Sequence, residues 1–70
     1  MQRVSVVSTD LLSVGYDVAN STLEIEFQSG GLYQYSGVPV GEYNALMSAS
    51  SKGGHFHARI KDRYSTRRIR

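Results

Sequence analysis

The side chains best suited to chemistry in this chain are cations, and they are concentrated near its C-terminal end. Residues 52–70 contain seven basic side chains and one acid, Asp62, for a formal charge of +6. Residues 1–51 contain one basic residue, Arg3, and five acids, for a formal charge of −4. Because arginine binds phosphate with a planar fork and lysine binds it as a point charge, this asymmetry predicts attraction to a polyanion. The predicted phosphate contacts are Lys52, Arg59, Lys61, Arg63, Arg67, Arg68 and Arg70.

A pair of tyrosines forms the second candidate site. Tyr33 and Tyr35 are two residues apart, so on a strand both rings project from the same face. One interpretation is a stacking platform for bases, as in RNA-recognition modules. The other, which we favour, places both rings in the core, because a short chain needs its large rings for packing.

The remaining reactive side chains do not form a recognisable catalytic or cofactor site. The chain has no cysteine, and His55 and His57 diverge on a helix, which disfavours a metal site. Residues 50–54 combine serine, lysine and glycine before a helix but lack the spacing of a nucleotide-binding loop, so a serine-capped turn is expected there. We therefore predict a domain without enzymatic activity, cofactor, metal or small-molecule substrate.

Apolar residues at every second position predict the β-strands that position these side chains. Val14, Tyr16 and Val18 alternate with polar or small residues, and Leu23, Ile25 and Phe27 do the same between glutamates. Turn-forming residues separate these segments from a third strand over residues 32–36. Three consecutive strands with short turns predict an antiparallel meander whose polar face carries Glu24 and Glu26.

Helical periodicity follows in the second half of the chain. Pro39 suits the first turn of a helix, and Val40, Tyr43, Leu46 and Met47 have the spacing of a buried stripe. A second helix is predicted from His55, with Phe56, Ile60 and Tyr64 on its apolar side. In that helix, Arg59 and Arg63 would lie one turn apart. The fold class is therefore α+β, a three-stranded antiparallel meander followed by two short helices packed on one face (β-β-β-α-α).

Length and composition predict a single domain over residues 1–70 with a flexible basic tail at residues 65–70. Seventy residues allow only a thin core, without disulfides to reinforce it. Residues 1–10 are compatible either with a short strand or with an unpaired segment. No apolar run reaches the length of about 20 residues that crosses a bilayer, and the N-terminus does not resemble a secretory signal, so we expect a cytoplasmic protein.

The order of several short motifs resembles the KTSC domain family. These motifs are Val14-Gly15-Tyr16-Asp17, Tyr33-Gln34-Tyr35, Val38-Pro39 and Ser51–Gly54 leading into Phe56, Ile60 and Tyr64. The resemblance covers roughly residues 8–64. The family takes its name from a module at the C-terminus of some lysyl-tRNA synthetases and also occurs as short bacterial proteins. Through this synthetase context, the resemblance implies RNA binding.

Two classes of function remain as hypotheses. The first is a domain that binds RNA or another polyanion through the basic C-terminal helix and tail, with Tyr33 or Tyr35 assisting. The alternative is a protein–protein interaction module or homodimer that uses the aromatic residues or an exposed strand edge, and a phage or mobile-element accessory protein is one form of it. Salt separates them, because phosphate binding weakens steeply as ionic strength rises.

Overall fold

The protein is built around a five-stranded antiparallel sheet. A computed structural model describes residues 1–70 and contains β1 (Arg3–Ser5), β2 (Leu11–Asp17), β3 (Thr22–Phe27), β4 (Leu32–Ser36) and β5 (Ser65–Arg68). The strands lie in the sheet in chain order, β1-β2-β3-β4-β5. Between β4 and β5 the chain forms α1 (Val40–Ser48), α2 (Lys52–His55) and a π-helix (Phe56–Ile60) that continues α2.

The α+β class and the central meander are confirmed, but the prediction of a three-stranded sheet is wrong. The three predicted strands correspond to β2, β3 and β4, and β1 and β5 add an edge on either side. Val18, predicted to continue the first strand, instead lies in the turn after β2 and is 72% exposed. Neither edge strand has a buried side chain. Because alternation in a sequence reflects burial of one face, strands without buried residues leave no period-two pattern. The basic tail thus supplies a strand that pairs with β4.

The second helix also differs from its prediction. It begins at Lys52, where the Ser51 hydroxyl accepts a hydrogen bond from the Gly54 amide at 3.2 Å. It ends at Ile60, where the amide of Lys61 donates to the Phe56 carbonyl at 2.9 Å in a π-type bond. The chain then turns at Asp62, whose φ is +65°. A left-handed residue does not continue a helix, so the segment after residue 60 lies outside it.

The hydrophobic core lies between the helices and the sheet face that carries Tyr35. Phe56 and Ile60, predicted to share an apolar stripe, are both buried in this core, and Leu46 joins them from α1. Val40, predicted to be part of the α1 stripe, is 48% exposed because it is the first residue of the helix. The core consists of Leu11, Val14, Leu23, Ile25, Tyr35, Val38, Leu46, Phe56 and Ile60. Burial of each large aliphatic side chain contributes roughly 1.5–3 kcal/mol.

The opposite face of the sheet carries a polar network centred on Glu24. Arg3 of β1 passes above Gly15 of β2 to reach Glu24 of β3, and its Nη1 donates to Oε2 at 2.6 Å. A Cβ atom at Gly15 would lie 2.6 Å from the Gln2 carbonyl oxygen and 3.0 Å from Cγ of Arg3. Glycine at this position therefore allows the arginine to cross a whole strand.

Glu26 extends this network along β3. Its Oε1 accepts a hydrogen bond from the Ser13 hydroxyl at 3.1 Å, and its Oε2 accepts one from Nη2 of Arg70 at 2.7 Å. The two glutamates thus lie on the polar face, as predicted, but Glu24 is only 6% exposed. Desolvation raises the pKa of Glu24, yet hydrogen bonds from Gln34 and Arg3 and the charge of Arg3 outweigh it, so this pKa lies below its ordinary value of 4.5.

No helix of the protein is long and apolar enough to span a bilayer.

Candidate nucleic-acid interface

The basic residues predicted to contact phosphate are distributed over three successive elements. Lys52 opens α2, and Arg59 lies on the π-helix. Lys61 and Arg63 lie in the turn that leads into β5. Arg67, Arg68 and Arg70 belong to β5 and the residues after it. Because the helix ends at Ile60, Arg59 and Arg63 do not share a helical flank, contrary to the prediction.

Ion pairing divides these cations into two groups. Arg70 is paired with Glu26, whereas Lys52, Arg59, Lys61, Arg63, Arg67 and Arg68 have no acidic side chain within 4.0 Å. The last five of these six are exposed. Four of the acids, in contrast, have a basic partner: Glu24 and Glu26 pair with arginines, and Asp10 and Glu42 pair with histidines, which are charged only when protonated. The uncompensated positive charge of the protein therefore lies on residues 52–68.

The edge strand β5 presents two of these cations on opposite faces of the sheet. Arg68 is paired in register with Tyr33, and Arg67 with Gln34. Since side chains alternate along a strand, Arg68 lies on the helix-covered face and Arg67 on the polar face. The guanidinium of Arg68 lies 5.6 Å from the centroid of the Tyr33 ring, within the range of a cation–π contact.

The tyrosine pair lies on the face that the helices cover. Tyr35 is 4% exposed and belongs to the core, whereas Tyr33 is half-buried and packs against the outside of the core. Tyr33 contacts the Phe27 ring edge-on at 5.6 Å between centroids, and Tyr35 contacts Phe56 in the same manner at 5.5 Å. The structure therefore places the two rings in an aromatic cluster rather than on an open platform.

An open cleft of about 380 Å³ lies above this cluster, and we call it the aromatic cleft. Four rings line it, from Phe27, Tyr33, Tyr35 and Phe56. Polar side chains of three loops, the π-helix and β5 complete the lining, namely Asp10, Ser29, His57, Lys61, Asp62 and Thr66. The cleft thus combines an apolar floor with hydrogen-bonding groups, the composition typical of ligand sites.

Two residues far apart in the sequence form one side of the aromatic cleft. Nε2 of His57 lies 2.9 Å from Oδ2 of Asp10, although the residues are 47 positions apart. Asp62, across the turn, has no ion-pair or side-chain hydrogen-bond partner. The cleft therefore contains one carboxylate held by a histidine and one free carboxylate.

The Tyr35 hydroxyl is available to a ligand in the aromatic cleft. It makes no hydrogen bond within the protein, and no fully buried side-chain polar atom lacks a partner, so this hydroxyl is not fully buried and belongs to a residue that lines the cleft. Burial of the ring, together with the negative charge that Tyr33 and Asp10 can carry, raises the pKa of Tyr35. The phenol therefore remains protonated and can donate a hydrogen bond.

A second hollow lies beside the aromatic cleft and is lined mainly by residues 7–10 and 50–54. The predicted serine-capped turn is found here, because Ser51 caps α2. Nζ of Lys52 donates to the Ala49 carbonyl at 3.1 Å. Gly53 packs closely on Asp10, and a Cβ atom there would lie 3.3 Å from the aspartate Cβ. The turn thus anchors the Asp10 loop that borders both hollows.

Comparison with protein families shows which family the chain belongs to. The model of the KTSC domain family matches residues 7–64. This chain belongs to the KTSC domain family. The match includes β2, β3, β4 and all three helical segments, and it ends just before β5.

Individual relatives support this assignment. The KTSC chain is similar to an uncharacterized protein of Stutzerimonas stutzeri, with 44% identity over 64 residues that cover 91% of this chain and 90% of that protein. It is also similar to the crystal structure of a KTSC domain protein from Yersinia pestis, with a TM-score of 0.96, 46% identity and coverage of 99% of this chain and 97% of that one.

Longer proteins contain a similar segment. The lysine–tRNA ligase of Nostoc sp. is 41% identical over 49 residues, which cover 70% of this chain, and that of Nostoc punctiforme is 43% identical over 49 residues. The KTSC chain spans only 9% of the length of these ligases.

Asp10, His57 and Phe27 line the same cleft as the two candidate tyrosines, and sequence reasoning does not group them. Only the pairing of β2 with β3 and the packing of the π-helix bring these three residues together. No spacing in the sequence indicates such a juxtaposition.

Proposed function

We propose that this KTSC domain is a non-enzymatic cytoplasmic module that binds RNA through the basic residues of its π-helix, the turn after it and β5. The observation that carries the proposal is the absence of acidic partners for Arg59, Lys61, Arg63, Arg67 and Arg68. Exposed cations without partners repel one another, and phosphate contacts relieve that repulsion while releasing counterions.

The positions of the acids strengthen this argument. Arg3 and Arg70 neutralise Glu24 and Glu26 on the polar face of the sheet, so these carboxylates project little negative field toward an approaching phosphate. The charge asymmetry of the sequence thus leaves unpaired cations on the π-helix, in the turn after it and on the edge strand β5, which together form a positive surface. Such a surface attracts any nucleic acid and accelerates its encounter with the protein.

The similar ligases favour RNA over other polyanions. Their name states that they act on lysine and tRNA, and a segment of each is similar to this chain over 49 residues. A small domain with a cationic edge would add affinity for a tRNA backbone in such a context. We extend that context to this chain as part of the proposal.

The first experiment measures the binding of a labelled single-stranded RNA by fluorescence anisotropy between 20 and 200 mM salt. The test variant replaces Arg59, Arg63, Arg67 and Arg68 with Gln. None of these four cations has an ion-pair partner, so the substitutions leave no acid uncompensated. For single strands, each lost phosphate contact lowers the slope of log K against log salt by about 0.7, so the variant should lose roughly 3 units of slope if all four bind.

A charge-matched control separates local contacts from net charge. The control carries Val18→Glu, Val40→Glu, Asn44→Asp and Ala45→Glu, four exposed positions outside residues 52–70. It lowers the net charge by the same four units as the test variant. We expect the control to keep most of the salt slope. An equal loss of slope in both variants, or absence of binding by the original chain at 20 mM salt, would refute the proposed interface.

A protein–protein interaction function is the second candidate, and the two open edges of the sheet favour it. β1 and β5 each pair on one side only, so backbone donors and acceptors on the outer side are free to pair with another strand. A strand-paired complex or homodimer would persist at 500 mM salt, whereas an RNA complex would dissociate. Sedimentation of the chain alone at low and high salt distinguishes a homodimer from a monomer.

A further inference from the structure

We infer that the aromatic cleft binds one nucleobase of a single-stranded RNA whose phosphates lie on the basic residues around it. The inference rests on the proposed function and adds a specific site for the base. This cleft lies between Phe27, Tyr33, Tyr35 and the π-helix, and phosphate binding alone does not involve it.

The size and lining of the cleft favour a planar, largely apolar ligand group. The volume of about 380 Å³ lies at the small end of the range for ligand pockets. The floor consists of aromatic rings, and bases bind to aromatic side chains without regard to sequence because every base has a π-face. Phe27 and Tyr33 are half-buried, whereas Tyr35 and Phe56 are each 4% exposed, so a base would stack mainly on the first two rings.

The carboxylates of the cleft exclude a phosphate but accept a base. Asp10 and Asp62 both line it, and a phosphate between them would experience repulsion from two negative charges. A neutral base avoids that repulsion, and its N–H groups can donate to a carboxylate oxygen. The protonated hydroxyl of Tyr35 supplies a donor for a carbonyl or ring nitrogen of the base.

Cations at the rim are placed to hold the phosphates on either side of such a base. Lys61 lines the cleft without an acidic partner, and Arg68 lies on the Tyr33 ring at the β5 side. A nucleotide with its base in the cleft would therefore place its backbone between two free cations. Base and phosphate are thus recognised by different parts of one small site.

Only an unpaired nucleotide fits this arrangement. A base in a duplex has its ring faces covered by stacking, so it would have to leave the stack to enter the cleft. Single-stranded segments and loops present such bases without that cost. The inferred site therefore predicts preference for single-stranded over double-stranded RNA.

The test compares two probes of equal length and charge. One is a uridine hexanucleotide, and the other is an abasic hexamer with the same ribose–phosphate backbone. Stacking on aromatic residues corresponds to roughly a 5- to 150-fold gain in affinity per base, so we expect the uridine hexamer to bind at least fivefold more tightly. In NMR spectra, the uridine hexamer should shift the ring resonances of Tyr33, Tyr35 and Phe56, and the abasic hexamer should leave them unchanged.

A matched pair of variants locates the effect within the cleft. Tyr35→Phe keeps the buried ring and removes only the hydroxyl, so uridine binding should weaken about fivefold while abasic binding stays constant. Tyr43→Phe is the control, because Tyr43 stacks on Tyr16 at 4.9 Å and does not line the cleft. We expect it to change neither affinity.

The outcomes separate this inference from the proposed function. Equal affinity for the two hexamers with unchanged ring resonances refutes base binding and leaves phosphate binding intact. Failure of both hexamers to bind at low salt refutes both ideas. Tight binding of a tyrosine- or phenylalanine-containing peptide in the cleft, with no discrimination between the hexamers, would assign the cleft to a protein ligand and overturn the inference.

Discussion

At the scale of single residues, the arrangement around Glu24 shows how a buried charge is accommodated in a small domain. Glu24 is 6% exposed on the face of the sheet opposite the core, where no helix covers it. Oε2 is paired with Arg3, and Oε1 accepts a hydrogen bond from Nε2 of Gln34 at 2.8 Å. Because breaking such a pair leaves a buried charge without a partner, Arg3 matters more to stability than an exposed arginine does.

This arrangement predicts a specific dependence of stability on pH. The pKa of Glu24 is lower in the folded protein than its ordinary value of 4.5, so the unfolded chain binds the proton more readily. The stabilisation is therefore complete above pH 4.5 and is lost as the pH falls through the folded-state pKa. Urea unfolding between pH 3 and 7 should show this loss, and Glu24→Gln should make the free energy of unfolding less dependent on pH in that range.

Substitution of the partner tests the same ion pair at neutral pH. Arg3→Gln should lower the free energy of unfolding by about 2 kcal/mol, because the Glu24 carboxylate then lacks its cation. The double variant Arg3→Gln with Glu24→Gln should recover part of that loss. Arg67→Gln, which removes an exposed and unpaired cation, serves as the control and should change stability by less than about 0.5 kcal/mol. An equal effect of Arg3→Gln and Arg67→Gln would contradict this account.

At the scale of elements, hydrophobic periodicity in the sequence predicts some of the strands and helices and misses others. β2, β3 and β4 each place alternate apolar side chains on the face that the helices cover, and their alternating sequences therefore predict them. β1 and β5 bury no side chain, so only backbone pairing with a neighbour defines them. The stripe of Phe56 and Ile60 predicts a helix, but the π-type bond to the Phe56 carbonyl and the turn at Asp62 are backbone features with no signal in hydrophobic spacing.

The same distinction applies to the candidate site. The cations can be identified from the sequence, because each acts through its own charge. Their lack of acidic partners is known only from the fold. The aromatic cleft depends on three separate segments, and its Asp10–His57 pair joins residues 47 positions apart. Hydrophobic periodicity reports only on neighbours along one strand or helix, so it cannot predict a contact between residues so far apart in the sequence.

The pairing of β5 leads to a prediction about hydrogen exchange. The Ile69 amide donates to the Leu32 carbonyl at 2.7 Å, and the Leu32 amide donates to the Arg70 carbonyl at 3.2 Å. Both amides should exchange markedly more slowly than those of an unstructured peptide. A chain that ends at Tyr64 should lose protection at Leu32 and about 2 kcal/mol of stability, which corresponds to a Tm roughly 10 °C lower.

The control for this truncation keeps the strand and removes its charge. Arg67→Gln with Arg68→Gln should retain slow exchange at Ile69, since backbone pairing does not depend on these side chains. Exchange at Ile69 as fast as in a free peptide would show that the tail does not pair with β4 in solution, and the interface would then be a flexible cationic segment.

At the scale of the whole molecule, unpaired positive charge is concentrated in one segment, although the formal net charge is small. The formal net charge is +2, yet six cations on residues 52–68 have no acidic partner, while four of the six acids are paired. Five of these cations lie within ten consecutive residues, Arg59 to Arg68, and exposed charges interact appreciably within the Debye length of about 10 Å at 0.1 M salt. The folded state therefore stores repulsion that a phosphate backbone would relieve.

This stored repulsion predicts that salt stabilises the protein even without a ligand. Between 10 and 300 mM sodium chloride, screening should raise Tm by about 2–4 °C, which corresponds to roughly 0.5 kcal/mol for a domain of this size. The variant with Gln at positions 59, 63, 67 and 68 should be more stable than the original chain at 10 mM salt and should respond less to added salt. The charge-matched control with four added acids keeps the cluster intact and should retain most of the response. Destabilisation by salt in the original chain would instead mean that ion pairs such as Arg3–Glu24 outweigh the repulsion, and the proposed binding edge would lose its energetic basis.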